Sequence, residues 1–115
     1  MPTLRDLLDG HCHEYPKGLS TLNHSEVAER IPLVPNWELV DGGKGLRFSR
    51  RLADFMAAVD LVNQVAVIAE DEQHHPDIRI HGYRNLVLDL STHSIGGLTD
   101  NDFIMAAKIN RLLDA

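Results

Sequence analysis

Residues 52–71 read LADFMAAVDLVNQVAVIAED. Leu52, Phe55, Val59, Val62, Ala66 and Ala69 recur at alternating spacings of three and four, the period of one helix face. Leu61, Val65 and Ile68 add a neighbouring apolar stripe, so this helix is predicted to be covered on two sides, by a sheet and by another helix or subunit. Trp37 to Val40 and Leu46 to Ser49 are short alternating runs joined by Asp41-Gly-Gly-Lys-Gly45, which predicts a hairpin before the helix. Ile78 and Ile80, then Leu86, Leu88 and Leu90, alternate on either side of Gly82-Tyr-Arg-Asn85 and predict a second hairpin after it. Ser25 to Ile31 supports a short helix capped by Asn23 or Ser25 and ended by Pro32 and Pro35. Thr99, with Asp100 and Asp102 behind it, opens a last helix whose stripe is Met105, Ile109 and Leu112. The expected order is α-β-β-α-β-β-α, an α+β domain over residues 23–115, preceded by an extended or partly helical arm over residues 1–22.

A chain of 115 residues fits one hydrophobic core. Eleven Lys and Arg against 17 Asp and Glu give a formal charge of -6, which removes the phosphate attraction that nucleic-acid binding needs. The longest apolar run, Val65 to Ala69, is far below the roughly 20 residues that cross a bilayer. Met1 to Gly10 lacks the basic start and apolar run of a secretory signal, and the single cysteine, Cys12, suits a reducing compartment. A cytoplasmic location is expected, with no membrane and no direct nucleic-acid partner.

Chemistry concentrates in Glu70-Asp-Glu-Gln-His-His-Pro76, which sets two imidazoles where the long helix gives way to a strand. Pro76 biases His75 away from helical dihedrals, so the rings of His74 and His75 leave in different directions. His93 follows the last strand and shares the face of Val87, Asp89 and Ser91, away from the leucines. Imidazoles can give and take protons near neutral pH, so several around one pocket suit the removal of water from a neutral molecule. The alternative is a polar helix end with cations on the negative end of the dipole, and periodicity alone favours it. A zinc site could draw on three histidines with Glu70 or Asp102, but adjacent histidines seldom converge on one ion and no His-Glu-x-x-His pattern is present. His11-Cys12-His13 has strand spacing for a metal but lies in the irregular arm, and Cys12 has no activating partner near it in sequence. Asp41-Gly-Gly-Lys-Gly45 lacks the phosphate-loop spacing and reads as a turn. Asp102 is expected at the third position of the last helix, where a carboxylate supports the exposed amides whatever else it does.

Glu70-x-x-x-His74-His75-Pro76, six residues to Tyr83, nine more to His93, and Asp102 after Gly-Gly-Leu-Thr together resemble the pterin-4a-carbinolamine dehydratases. Residue types and spacings agree over some thirty positions, about Glu70 to Asp102, the element order agrees from about Leu19 to Leu113, and Trp37-Glu-Leu resembles the tryptophan at the start of that family's first strand. The resemblance implies a four-stranded antiparallel sheet with three helices on one face, assembled as a homodimer or homotetramer. It implies dehydration of 4a-hydroxytetrahydropterin to quinonoid dihydropterin, a hydro-lyase step in tetrahydrobiopterin recycling. By position, His74 and His93 would be the acid and base and His75 would orient the pterin. Pro76, Thr92 and Ser94 would border the site, with Glu70 and Asp102 as supporting carboxylates. The family implies no metal and no cofactor beyond the pterin substrate. Many bacterial members carry two cysteines two residues apart in the arm, and here only Cys12 stands there. Animal members also serve as dimerisation cofactors of a homeodomain transcription factor, and relatives lacking the full histidine set assist assembly of carbon-fixing enzymes. A protein-binding role on the same fold is therefore the alternative function.

Overall fold

The computed structural model describes residues 1–114, so the last residue of the expected domain lies outside the described residues. Its helices are α1 (Leu4–Asp9), α2 (His24–Arg30), α3 (Phe55–Glu72) and α4 (Asp100–Asp114), and its strands are β1 (Trp37–Val40), β2 (Gly45–Arg51), β3 (Asp77–His81) and β4 (Asn85–Leu90). Both hairpins form, and β2 pairs with β4 to join them into one antiparallel sheet of order β1-β2-β4-β3. The tight link between β1 and β2 needs left-handed backbone at Gly42 and Gly43, with φ of 65° and 89°, which explains the glycine pair.

Alternation decides the register. Leu46 lies opposite Leu90, and Phe48 opposite Leu88, so one face of the sheet is a continuous apolar surface on which the helices pack. The other face carries Arg47 and Asp89, joined by two hydrogen bonds of 2.7 and 3.2 Å.

Three details refine or depart from the sequence expectation. The arm is partly helical, one of the two expected forms: it contains a short helix, α1, closed by a reciprocal Thr3–Asp6 capping box. Asp54 caps α3 by accepting from the Ala57 amide, which leaves Leu52 outside the helix, where its amide bonds the Arg84 carbonyl. The inward stripe is consequently Ala58, Leu61, Val65, Ala69 and Glu72, while Val59, Val62 and Ala66 form a half-buried border and Phe55 is 49% exposed. The third difference concerns α4, which has no solvated face over residues 101–110 because α1 and the arm cover what the sheet and α3 leave open. Leu7 of α1 enters the core, and Gly10 passes so close to Ile104 that a Cβ there would meet its side chain at 3.2 Å.

Candidate active site

Helix α3 stops at Gln73, whose φ of 53° reverses the chain without the usual glycine. The turn is held by the His74 amide on the Ala69 carbonyl and by Gln73 Nε2 on the Glu70 carbonyl. It separates three consecutive polar residues by direction. Glu72 goes into the interior, Gln73 stays exposed, and His74 turns toward α4.

There His74 Nε2–H donates to Asp102 Oδ1 at 2.7 Å; a carboxylate only accepts, so the pairing fixes the proton on Nε2 in the neutral ring. Asp102 is fully buried, and its second oxygen accepts from the Thr99 amide at 3.0 Å and from Thr92 Oγ1 at 2.9 Å. Thr99 Oγ1 in turn donates to Thr92 Oγ1 and accepts from the Asn101 amide. The helix-capping role expected of Asp102 and its grip on His74 are thus two sides of one carboxylate. No described residue hydrogen-bonds His74 Nδ1, the nitrogen left to accept a proton. The carboxylate behind the ring fixes its orientation and tautomer, so a proton exchanged with a bound molecule passes through Nδ1.

His74 lines a cavity of about 500 Å³ together with Gln73, Thr92, Ser94, Asn101 and a segment of the arm. A larger groove of about 660 Å³ runs between α3 and α4 past Val67, Ile68, Glu70 and Arg111, but it contains no imidazole. The smaller cavity is therefore the candidate site.

The remaining expected residues are placed as follows. His75 is 52% exposed and donates to Glu70 Oε2, itself 72% exposed, outside the lining of the His74 cavity. Pro76, the residue before β3, is buried. Thr92 and Ser94 line the His74 cavity, whereas His93 between them lines a separate concavity of about 290 Å³ with Asp77, Asp89 and Ser91. The structure brings His74, Thr92, Ser94 and Asp102 together and sets His75 and His93 apart from them. Among the described residues no group of three or more His, Cys, Asp or Glu side chains is arranged to hold a metal.

Sequence reasoning overlooked Glu72, Lys108 and Asn101. Lys108 Nζ donates to Glu72 Oε2 with both side chains buried, and the other Glu72 oxygen accepts from the Cys12 amide at 2.7 Å. Burial alone would raise the Glu72 carboxyl, but Lys108, the Cys12 amide and His11 outweigh it and hold it at about 2. The Cys12 thiol is pushed up to about 12, by burial first and by the adjacent Glu72 charge second, so it stays protonated and is a poor nucleophile at neutral pH. The signal for the buried pair was present: Glu72 continues the spacing of Leu61, Val65 and Ala69, and Lys108 interrupts the apolar run 103–109.

A family model for pterin 4 alpha carbinolamine dehydratase matches residues 20–112. The chain belongs to the pterin-4a-carbinolamine dehydratase family. Relatives provisionally named pterin-4-alpha-carbinolamine dehydratases in Xanthomonas oryzae pv. oryzae (strain MAFF 311018) and Xanthomonas campestris pv. campestris (strain 8004) are 42% and 40% identical over 114 residues, covering 99% of this chain and 96% of each relative. A crystal structure described as a transcriptional coactivator/pterin dehydratase from Brucella melitensis superposes with a TM-score of 0.74 at 33% identity, covering 81% of this chain and 98% of that one.

Proposed function

We propose that this dehydratase-family chain removes water from 4a-hydroxytetrahydropterin to give quinonoid dihydropterin. The observation that carries the reading is the His74–Asp102 pair at the wall of the candidate cavity. The C4a–O bond breaks, the departing hydroxyl takes a proton and leaves as water, and a pterin ring nitrogen gives up a proton. No electron is gained or lost, so two proton-exchanging groups are enough. His74, backed by a fixed carboxylate, is the first of them; His93, which lines the neighbouring concavity one residue beyond Thr92, is proposed as the second on the family resemblance, and this requires the pterin to reach from the His74 cavity to that ring. His75 orients the pterin, Pro76, Thr92 and Ser94 border it, and Glu70 and Asp102 hold their histidines. No cofactor is required in this reading. A dehydratase assay of wild type against the His74→Ala, His93→Ala double variant tests it: near wild-type turnover in the double variant removes the mechanism.

The surface favours self-association. Phe55, Met56 and Val67 on α3 are 49%, 61% and 71% exposed, and the sheet's edge strands β1 and β3 carry exposed Leu39 and Ile78. Unpaired edges and surplus apolar side chains are ordinarily covered, so the chain is proposed to form a homodimer or homotetramer. Sedimentation at micromolar concentration checks this, and a monomer contradicts it. The alternative function, a protein-binding cofactor, draws support from the same surface and from the coactivator description given to the Brucella protein. It predicts partner binding that survives loss of both histidines. No described helix is long and apolar enough to cross a membrane.

A further inference from the structure

Five of the eleven residues lining the His74 cavity, Cys12 through Pro16, come from the arm, which precedes residue 20, where the family model begins to match. The Brucella structure leaves about a fifth of this chain without a counterpart, an amount similar to the arm, whereas the Xanthomonas relatives align over 114 residues. These five residues thus lie outside the stretch that the family model matches.

It is held in place at three points. The Cys12 amide donates to Glu72, which is itself anchored by Lys108. Asn101, 3% exposed, commits both ends of its amide to the arm: Oδ1 accepts from the His13 amide at 3.1 Å, and Nδ2 donates to the His13 carbonyl at 2.6 Å. Ser94 Oγ donates to the Tyr15 carbonyl at 2.7 Å. Burying an ion pair and a carboxamide is costly unless their partners are fixed, and these partners are the backbone of a segment with few core side chains of its own. Such anchoring holds the cavity wall in shape. Between the anchors, the rings of His13 and Tyr15, two residues apart, stack with centroids 4.5 Å apart and planes inclined by 22°.

We propose that His13 and Tyr15 form a substrate-contacting wall, a stacked ring pair against which the flat bicyclic pterin packs, and that this wall raises the chain's affinity for pterin. The inference rests on the pterin reading above and deepens it. A flat heterocycle gains offset stacking from aromatic neighbours without any demand on the proton-transfer groups, so the wall acts in binding more than in turnover.

The test uses the full chain, with steady-state dehydratase kinetics and a direct calorimetric titration with 7,8-dihydrobiopterin, a pterin that lacks the 4a-hydroxyl and cannot be dehydrated. The His13→Ala, Tyr15→Ala double variant is expected to raise KM and the dihydrobiopterin Kd about three- to tenfold while kcat stays within about twofold. Tyr15→Phe, which keeps the ring, is expected to restore both constants. Unchanged KM and Kd in the double variant overturn the proposal. So does a fall in kcat and thermal stability that Tyr15→Phe does not restore, because that pattern marks a purely structural arm. If the double variant does not fold, His13→Ala alone, at an exposed position, gives the same readout with a smaller KM rise, and no rise overturns the wall. A wild type that binds dihydrobiopterin but does not dehydrate its substrate defeats the catalytic reading and leaves the wall standing on its Kd values; a wild type that does neither defeats both.

Discussion

His74 and His75 are neighbours in sequence, and each is paired with a carboxylate, yet the two pairs have little else in common. His74 and Asp102 have side chains 12% and 0% exposed; His75 and Glu70 have side chains 52% and 72% exposed. Asp102 is fixed by an amide and a hydroxyl besides the imidazole, whereas Glu70 is held only by the local fold of a helix end. Water screens the second pair and leaves both members free to rearrange, so a similar short contact has a small energetic consequence there. The difference separates the two histidines of one dipeptide into a ring fixed on a buried carboxylate and a ring exposed at the surface, which suits the proposed division into a proton-transfer group and an orienting group.

The largest expected effect comes from the two histidines proposed to transfer protons. His74→Ala should lower kcat by about 10² or more and His93→Ala by less, each leaving partial activity because water or the other ring can still move a proton. Together they should remove most of the turnover, with a loss that is not the product of the single losses. Steady-state kinetics on both single variants and the double variant decide it. A His93→Ala loss equal to that of His74→Ala would break the asymmetry between a buried, carboxylate-backed ring and an exposed one.

Asp102→Ala comes next and reads in two ways at once. It strands the Thr99 amide and Thr92 hydroxyl as well as His74, so a destabilisation of about 3 kcal/mol is expected in urea unfolding. Asp102→Asn separates the roles. The carboxamide keeps the volume and can still accept, but it cannot stabilise an imidazolium, so kcat should fall about tenfold or more with a smaller loss of stability.

Much of this was legible in the sequence. The alternation of Leu46 and Phe48 with Leu86, Leu88 and Leu90 sets the sheet face, and Thr99 with Asp102 marks the start of α4 in sequence and in structure alike. What was not legible depends on contacts distant along the chain. Two apolar stripes run along α3, and only the position of the Asp54 cap and the packing on the sheet choose between them. The full burial of α4 comes from an arm nearly a hundred residues earlier, which no local period reports. The different fates of His74 and His75 turn on a left-handed Gln73, a conformation that glycine or asparagine announces and glutamine does not. The pairing of His74 with Asp102 spans 28 positions, so spacing alone could suggest a cluster but not which carboxylate holds which ring.

Glu72 offers a third carboxylate for the comparison, buried like Asp102 but facing a lysine. Its carboxyl is held at about 2 against an ordinary 4.5, so the folded state favours the charged form. The stabilisation is fully present above about pH 4.5 and is lost as pH falls from there through about 2, amounting to about 3 kcal/mol over that window. Urea unfolding at pH 7, 4.5, 3 and 2 should show this acid loss in wild type. Glu72→Gln should start less stable at pH 7, with Lys108 left unpaired, and should lose less on acidification. Parallel acid profiles for the two proteins would show that the ion pair does not secure the arm.

The smallest expected effect belongs to the exposed pair. Glu70→Gln removes a charge from a contact that water already screens, so folding stability should change by less than about 0.5 kcal/mol. If His75 orients the pterin, His75→Ala should raise KM severalfold and leave kcat near wild type, since a group that binds ground state and transition state alike affects only KM. Glu70→Gln should reproduce a fraction of that KM rise, because the ring remains but loses its partner. Added salt makes the comparison sharper. Raising ionic strength weakens the exposed His75–Glu70 contact and should narrow the difference between wild type and Glu70→Gln, while leaving the gap between wild type and Asp102→Asn unchanged. A salt response of the same size at both sites would mean that burial does not separate the two pairs, and the division of labour between His74 and His75 would fail with it.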